Sequence, residues 1–182
     1  FKLLLDCLSA CPVDFATLHA RRGTQSYANP IDLNALRLAA ETLPFPVIGN
    51  GDIWTPADAV RMLSETKVRG LMCGRGAIAN PYLFLDIRAA LNQDNTCINN
   101  RAERQLELQQ YTLKLLNEYE QASKKEDLYT GAFKEACAWL DKNPLLGNGL
   151  FGAIKRLQSF EDIKAAIARY FKSLSPKASG QE

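Results

Sequence analysis

Three short polar clusters punctuate the first half of the chain: His19-Ala20-Arg21-Arg22, Asn50-Gly51-Asp52 and Gly74-Arg75-Gly76. Gly51 and Gly74 let the backbone approach an anion closely, and Arg75 adds a permanent charge on a forked donor. Together these residue types suit a phosphorylated cofactor or substrate. Either glycine-containing tripeptide alone also reads as a tight turn, because Gly and Asn are common turn residues. The ligand reading rests on finding two of them in succession at strand ends. Metal chemistry is not expected. His19 is the only histidine, and the five cysteines (Cys7, Cys11, Cys73, Cys97, Cys137) contain no CxxC pair and fit no disulfide framework. Cys73, inside Gly70-Leu71-Met72-Cys73-Gly74, reads as a small core residue.

The elements that must hold these clusters alternate. Val13 to His19 reads as a strand ending in polar residues, Phe45 to Gly49 as a second, and Val68 to Cys73 as a third. Between them, residues 32–43 carry leucines at near-helical spacing until Pro44 stops them. Thr55-Pro56-Ala57-Asp58 is an N-cap, a proline at the first helical position and an acid in the first turn. Asn80-Pro81 opens a further helix with Leu83, Phe84, Ile87 and Leu91 expected on one face. This rhythm predicts parallel βαβ units, and in parallel α/β folds ligands bind at the C-terminal strand ends. Three units are too few to close a barrel of eight. Beyond a polar stretch at 92–100 the pattern is helical, with Leu106, Leu113, Leu116 and Tyr119, then Phe133, Ala136, Cys137 and Leu140, then Ile154, Leu157, Ile163, Ile167 and Phe171 expected inward. The expected organisation is an α/β partial (β/α)8 TIM-type barrel over 1–94, an all-α helical bundle over 98–174 and a tail at 175–182.

Composition adds exclusions. Hydrophobic residues make up 47% and charged residues 23% of 182, which excludes a disordered or low-complexity chain. No apolar run approaches the ~20 residues of a membrane-spanning helix, and no leader is evident, so the expected location is the cytoplasm. The chain opens on Phe1 beside Leu3-Leu4-Leu5, as a piece of a longer protein would. Residues 143–177 carry six basic and two acidic side chains. That balance suits an anionic partner or, equally, a solvated helix face.

Taken as a set, these motifs support a resemblance. Leu18-His19-Ala20-Arg21, Gln25-Ser26-Tyr27, Pro46 to Ile53, Met72 to Ala77 and Asn80-Pro81-Tyr82-Leu83-Phe84 are similar to the second half of the FMN-binding barrel of tRNA-dihydrouridine synthases. Phe133 to Leu140, Ala153 to Leu157 and Ile163 to Ile167 resemble that family's helical tRNA-binding domain, most nearly its bacterial C-type branch. The resemblance implies that FMN takes hydride from NADPH and reduces a uridine flipped out of tRNA. It implies that His19 lies against the flavin, that Asn50, Gly51, Asp52, Gly74 and Arg75 hold its phosphate, and that Arg21, Lys134, Lys155, Arg156 and Lys164 contact tRNA. Ala20 and Arg22 depart from the family's Gly and Thr.

The family's catalytic cysteine is not matched. Cys11-Pro12 is superficially similar, but it lies eight residues before His19 on the approach to the same strand. The expectation is therefore part of a synthase that lacks its general acid. Two other readings stay open: a non-catalytic RNA-binding module, and another FMN-binding barrel such as a dihydroorotate-dehydrogenase-like oxidoreductase. A parent chain with some 130–150 residues upstream of Phe1, about what the missing βα units would occupy, favours the enzyme.

Overall fold

The computed structural model of the chain describes residues 1–92, 101–122 and 126–174. They form a mixed α/β structure, mostly helical, with one three-stranded parallel sheet. The chain divides into two units, one of Phe1–Ala77 with Tyr82–Cys97, the other of Ile78–Pro81 with Ile98–Glu182. The boundary expected at 92–100 falls, from residue 93 on, outside the described residues, as does the tail at 175–182.

In the first unit α1 (Lys2–Ser9) precedes β1 (Ala16–His19), α2 (Leu33–Thr42), β2 (Val47–Asn50), α3 (Pro56–Thr66), β3 (Gly70–Met72), the first three residues of the short α4 (Arg75–Ala79) and α5 (Leu83–Asn92). Helix α1 went unread in the sequence because its apolar run has no cap, and only Leu5 is buried. The strands are shorter than expected, and β2 lies between β1 and β3. Local chemistry explains the helix starts. Asp32 accepts from the Ala35 N–H at 3.0 Å, and Thr55 and Asp58 form a reciprocal capping box. The core gathers Leu36, Ala39, Val47, Ala59, Met62, Leu83 and Ile87 beneath the sheet's helices. Phe84 and Leu91, expected inward, are instead 57% and 49% exposed, so α5 buries a narrower face made by Leu83 and Ile87.

Parallel register brings the strand ends level. His19 pairs with Asn50, and Asn50 with Met72, so the C-terminal residues of β1 and β2 share one row with the last residue of β3.

The second unit is built from α6 (Arg101–Ala122), α7 (Glu126–Leu140), α8 (Leu150–Ile154) and α9 (Phe160–Leu174), with no strand among its described residues. Phe133, Cys137, Leu140, Ile154, Ile163, Ile167 and Phe171 are buried, as expected. Leu106 is not; α6 buries Leu108, Thr112 and Leu116. The Thr112 hydroxyl is satisfied by donating to the Leu108 carbonyl at 2.7 Å, which lets a polar residue occupy an apolar face. Asp141 caps α8 with both carboxylate oxygens, accepting from the Leu150 and Phe151 N–H groups at 2.8 and 2.9 Å.

Candidate functional site

The row of strand ends opens into a pocket of about 220 Å³ within the first unit. His19, exposed at the end of β1, lines it with Asn50 to Trp54, Met72, Gly74 to Gly76 and Tyr27. The Asn50 side chain spans two strands, donating from Nδ2 to the Met72 carbonyl at 2.7 Å.

The turn after β2 requires unusual backbone. Gly51 has φ +134° and Asp52 φ +44°. A Cβ on Gly51 would lie 2.9 Å from Ile31 Cγ2. Next to it, Ala20 is 3% exposed, and its backbone is fully paired, donating to the Asn50 carbonyl at 3.0 Å and accepting from Asp32 N–H at 2.8 Å. The alanine in place of the family's glycine is therefore accommodated.

The turn aims the Asp52 carboxylate at two arginines. Arg21 donates to it through Nη1 at 3.1 Å and through Nη2, and Arg75 through Nη2 at 3.3 Å. Arg21 also donates to the Asn29 carbonyl from Nε at 2.9 Å and Nη2 at 2.7 Å, and to the Tyr27 carbonyl at 3.3 Å. Its side chain is only 4% exposed. Arg21, expected to contact tRNA, braces the loop 21–29, and every nitrogen of its guanidinium faces a protein oxygen. Asp52, expected beside the phosphate, accepts from both arginines. Arg75 lies 3.9 Å from the Tyr27 ring centroid and 5.2 Å from that of Trp54. These aromatic partners were missed in the sequence; Tyr27 stood in a matched motif without an assigned role.

Gly74 and Gly76 differ. At Gly74 a Cβ would meet nothing within 4 Å, so open space adjoins this pocket-lining backbone. At Gly76 a Cβ would collide with the Ile53 carbonyl, so glycine is needed for packing. No thiol is among the pocket's described lining residues; Cys11 is exposed and its Sγ sits 3.5 Å from the Cys7 carbonyl. Among the described residues no cluster of His, Cys, Asp and Glu could hold a metal, and no helix is long and apolar enough to cross a membrane.

The profile of the family described as dihydrouridine synthase (Dus) matches residues 4–144. The chain belongs to the dihydrouridine synthase family. Among its relatives, a probable tRNA-dihydrouridine synthase of Mycobacterium tuberculosis is 40% identical over 74 residues, covering 40% of this chain and 19% of the relative. The tRNA-dihydrouridine(16) synthase of Cupriavidus necator is 34% identical over 94 residues, 50% of this chain and 29% of its own. That of Shewanella oneidensis is 28% identical over 149 residues, 80% of this chain and 43% of its own. The chain therefore spans less than half the length of these dihydrouridine synthases.

In the second unit Lys155, Arg156 and Lys164 are exposed at the end of α8 and on α9, with Arg169 further along α9. Lys134 on α7 is half-buried.

Proposed function

We propose that this chain is part of a flavin-dependent tRNA-dihydrouridine synthase, an oxidoreductase that reduces uridine in tRNA to 5,6-dihydrouridine. In this reading the sheet is part of a (β/α)8 barrel and the second unit is the tRNA-binding bundle. The observation that carries the proposal is the convergence of His19, Asn50 and Arg75 on one strand-end pocket in a member of this family.

The pocket fits a flavin phosphate on two counts. Open space adjoins the Gly74 backbone, where a side chain would otherwise stand. The ion-paired cluster of Arg21, Asp52 and Arg75 carries one net positive charge beside it. Arg75 would bind the phosphate and Gly74 would let its oxygens approach the backbone. Asn50 would hold the β2 and β3 ends at fixed separation, and His19 would border the flavin ring. FMN, reduced by NADPH, would supply the hydride. No general acid is assigned to this chain; the pocket's described lining has no thiol.

The test is flavin affinity in the full-length protein. Arg75→Ala removes a charge-assisted contact of about 1.5–3 kcal/mol, so FMN should bind at least tenfold more weakly. Wild-type flavin retention by Arg75→Ala through desalting would reject the phosphate assignment.

A further inference from the structure

Arginine recognises phosphate through in-plane N–H groups, so its usefulness depends on how its plane is held. Among the groups that act on Arg75 are a carboxylate and two rings. The Asp52 carboxylate takes one Nη2 hydrogen at 3.3 Å. Two rings, Tyr27 and Trp54, lie against the guanidinium carbon at 3.9 and 5.2 Å from their centroids. A ring attracts a guanidinium through its π face and fixes its orientation while taking none of its N–H donors.

Tyr27 is itself held in an unusual way. Its side chain is largely exposed, at 68% for the residue, so burial does not place it. Its backbone does: the almost fully buried Arg21 donates to the Tyr27 carbonyl and twice to Asn29, while gripping Asp52. Ser26 and Asn29 tighten the same loop through the Ser26 N–H to Asn29 Oδ1 bond at 2.9 Å. A buried arginine, a shared carboxylate and an exposed ring thus form one path from the loop after β1 to Arg75.

We propose that Tyr27 is a positioning residue that makes this site selective for a phosphomonoester: its ring sets the guanidinium plane of Arg75, and Arg21 with Asp52 sets the ring. The inference rests on the reading that Arg75 takes a flavin phosphate, and deepens it. Losing a ring from a partly exposed cation–π pair corresponds to an effect of a few-fold up to about thirtyfold. The loss must fall on the phosphate alone.

The experiment titrates FMN and riboflavin, which differ by the phosphate, into full-length protein carrying wild-type Tyr27, Tyr27→Phe or Tyr27→Leu. Tyr27→Leu should weaken FMN three- to tenfold and leave riboflavin unchanged. Tyr27→Phe should match wild type, since the ring and not the hydroxyl is used. Because the side chain is exposed, both variants should melt with wild type. Equal losses for both ligands, no loss for either, or a Tyr27→Phe as weak as Tyr27→Leu would overturn the positioning role while Arg75→Ala still weakens FMN. If Arg75→Ala leaves FMN untouched, the phosphate reading falls and takes this inference with it.

Discussion

Arg21 and Asp52, 31 positions apart, meet in a two-pronged ion pair that ties the loop after β1 to the turn after β2. Because the arginine is 4% exposed and its partner 28%, most of this pair is withdrawn from solvent. Truncating one member of such a pair leaves the other short of partners. Asp52 keeps Arg75, so the loss is partial. Arg21→Ala should destabilise the first unit by about 2 kcal/mol in urea unfolding. It should not alter the salt dependence of tRNA binding, as a phosphate-contacting arginine would. A stable Arg21→Ala variant with a flattened salt slope would instead support the tRNA contact at Arg21.

The glycines separate folding from binding. Gly51→Ala places a side chain at φ +134° and 2.9 Å from Ile31, at a cost of about 1–3 kcal/mol. Gly74→Ala meets no protein atom within 4 Å. Its melting temperature should stay near wild type while FMN affinity drops, because the added methyl competes for the space assigned to phosphate. Unchanged FMN binding by Gly74→Ala would move the phosphate elsewhere.

Stability should fall at alkaline pH through the second unit. Burial first, and the Asp141 carboxylate second, push the Cys137 thiol far above its ordinary value of 9.0. The folded state thus holds this proton more tightly than the unfolded state. The resulting stability is complete below pH 9 and is lost as pH rises beyond it, with a slope approaching about 1.4 kcal/mol per pH unit. Burial raises Tyr111 and Tyr170 from 10.0 as well, adding to the decline above pH 10. Cys137→Ala leaves a cavity but removes the titration. The gap between wild type and variant should therefore narrow between about pH 8 and pH 10.5 in denaturant titrations. A constant gap would count against it.

The features legible in the sequence were local ones. Thr55-Pro56-Ala57-Asp58 carries its own capping chemistry, and the observed capping box needs nothing from elsewhere in the chain. Asn50 and His19 were visible because polar residues end apolar runs, and parallel pairing then sets them in one row. Faces of helices were less legible where polarity was high. In α6 the buried row uses Thr112, whose hydroxyl bonds back to Leu108, so Leu106 drew attention that belonged to Leu108. The contacts that Arg21 and Tyr27 make were not legible at all. They depend on a carboxylate 31 positions from Arg21 and a guanidinium far along the chain, which no spacing rule connects.

The partner surface gives the last expectation. Lys155, Arg156 and Lys164 are exposed at the end of α8 and on α9, and Arg169 follows on α9. None of these four has a resolved ion pair among the described residues. Exposed lysines and arginines of this kind contribute little to folding, so replacing them tests binding cleanly. Neutralising Lys155, Arg156 and Lys164 together should leave the melting temperature and flavin content unchanged. If each meets a tRNA phosphate, three counterion-releasing contacts disappear, and the slope of log affinity against log salt should shrink by about 2–3 units. Lys134, half-buried on α7, should contribute less on its own. Filter binding of unmodified tRNA across a salt series reads this directly. An unchanged slope in the triple variant would return these residues to a solvated helix face and leave the bundle a structural role.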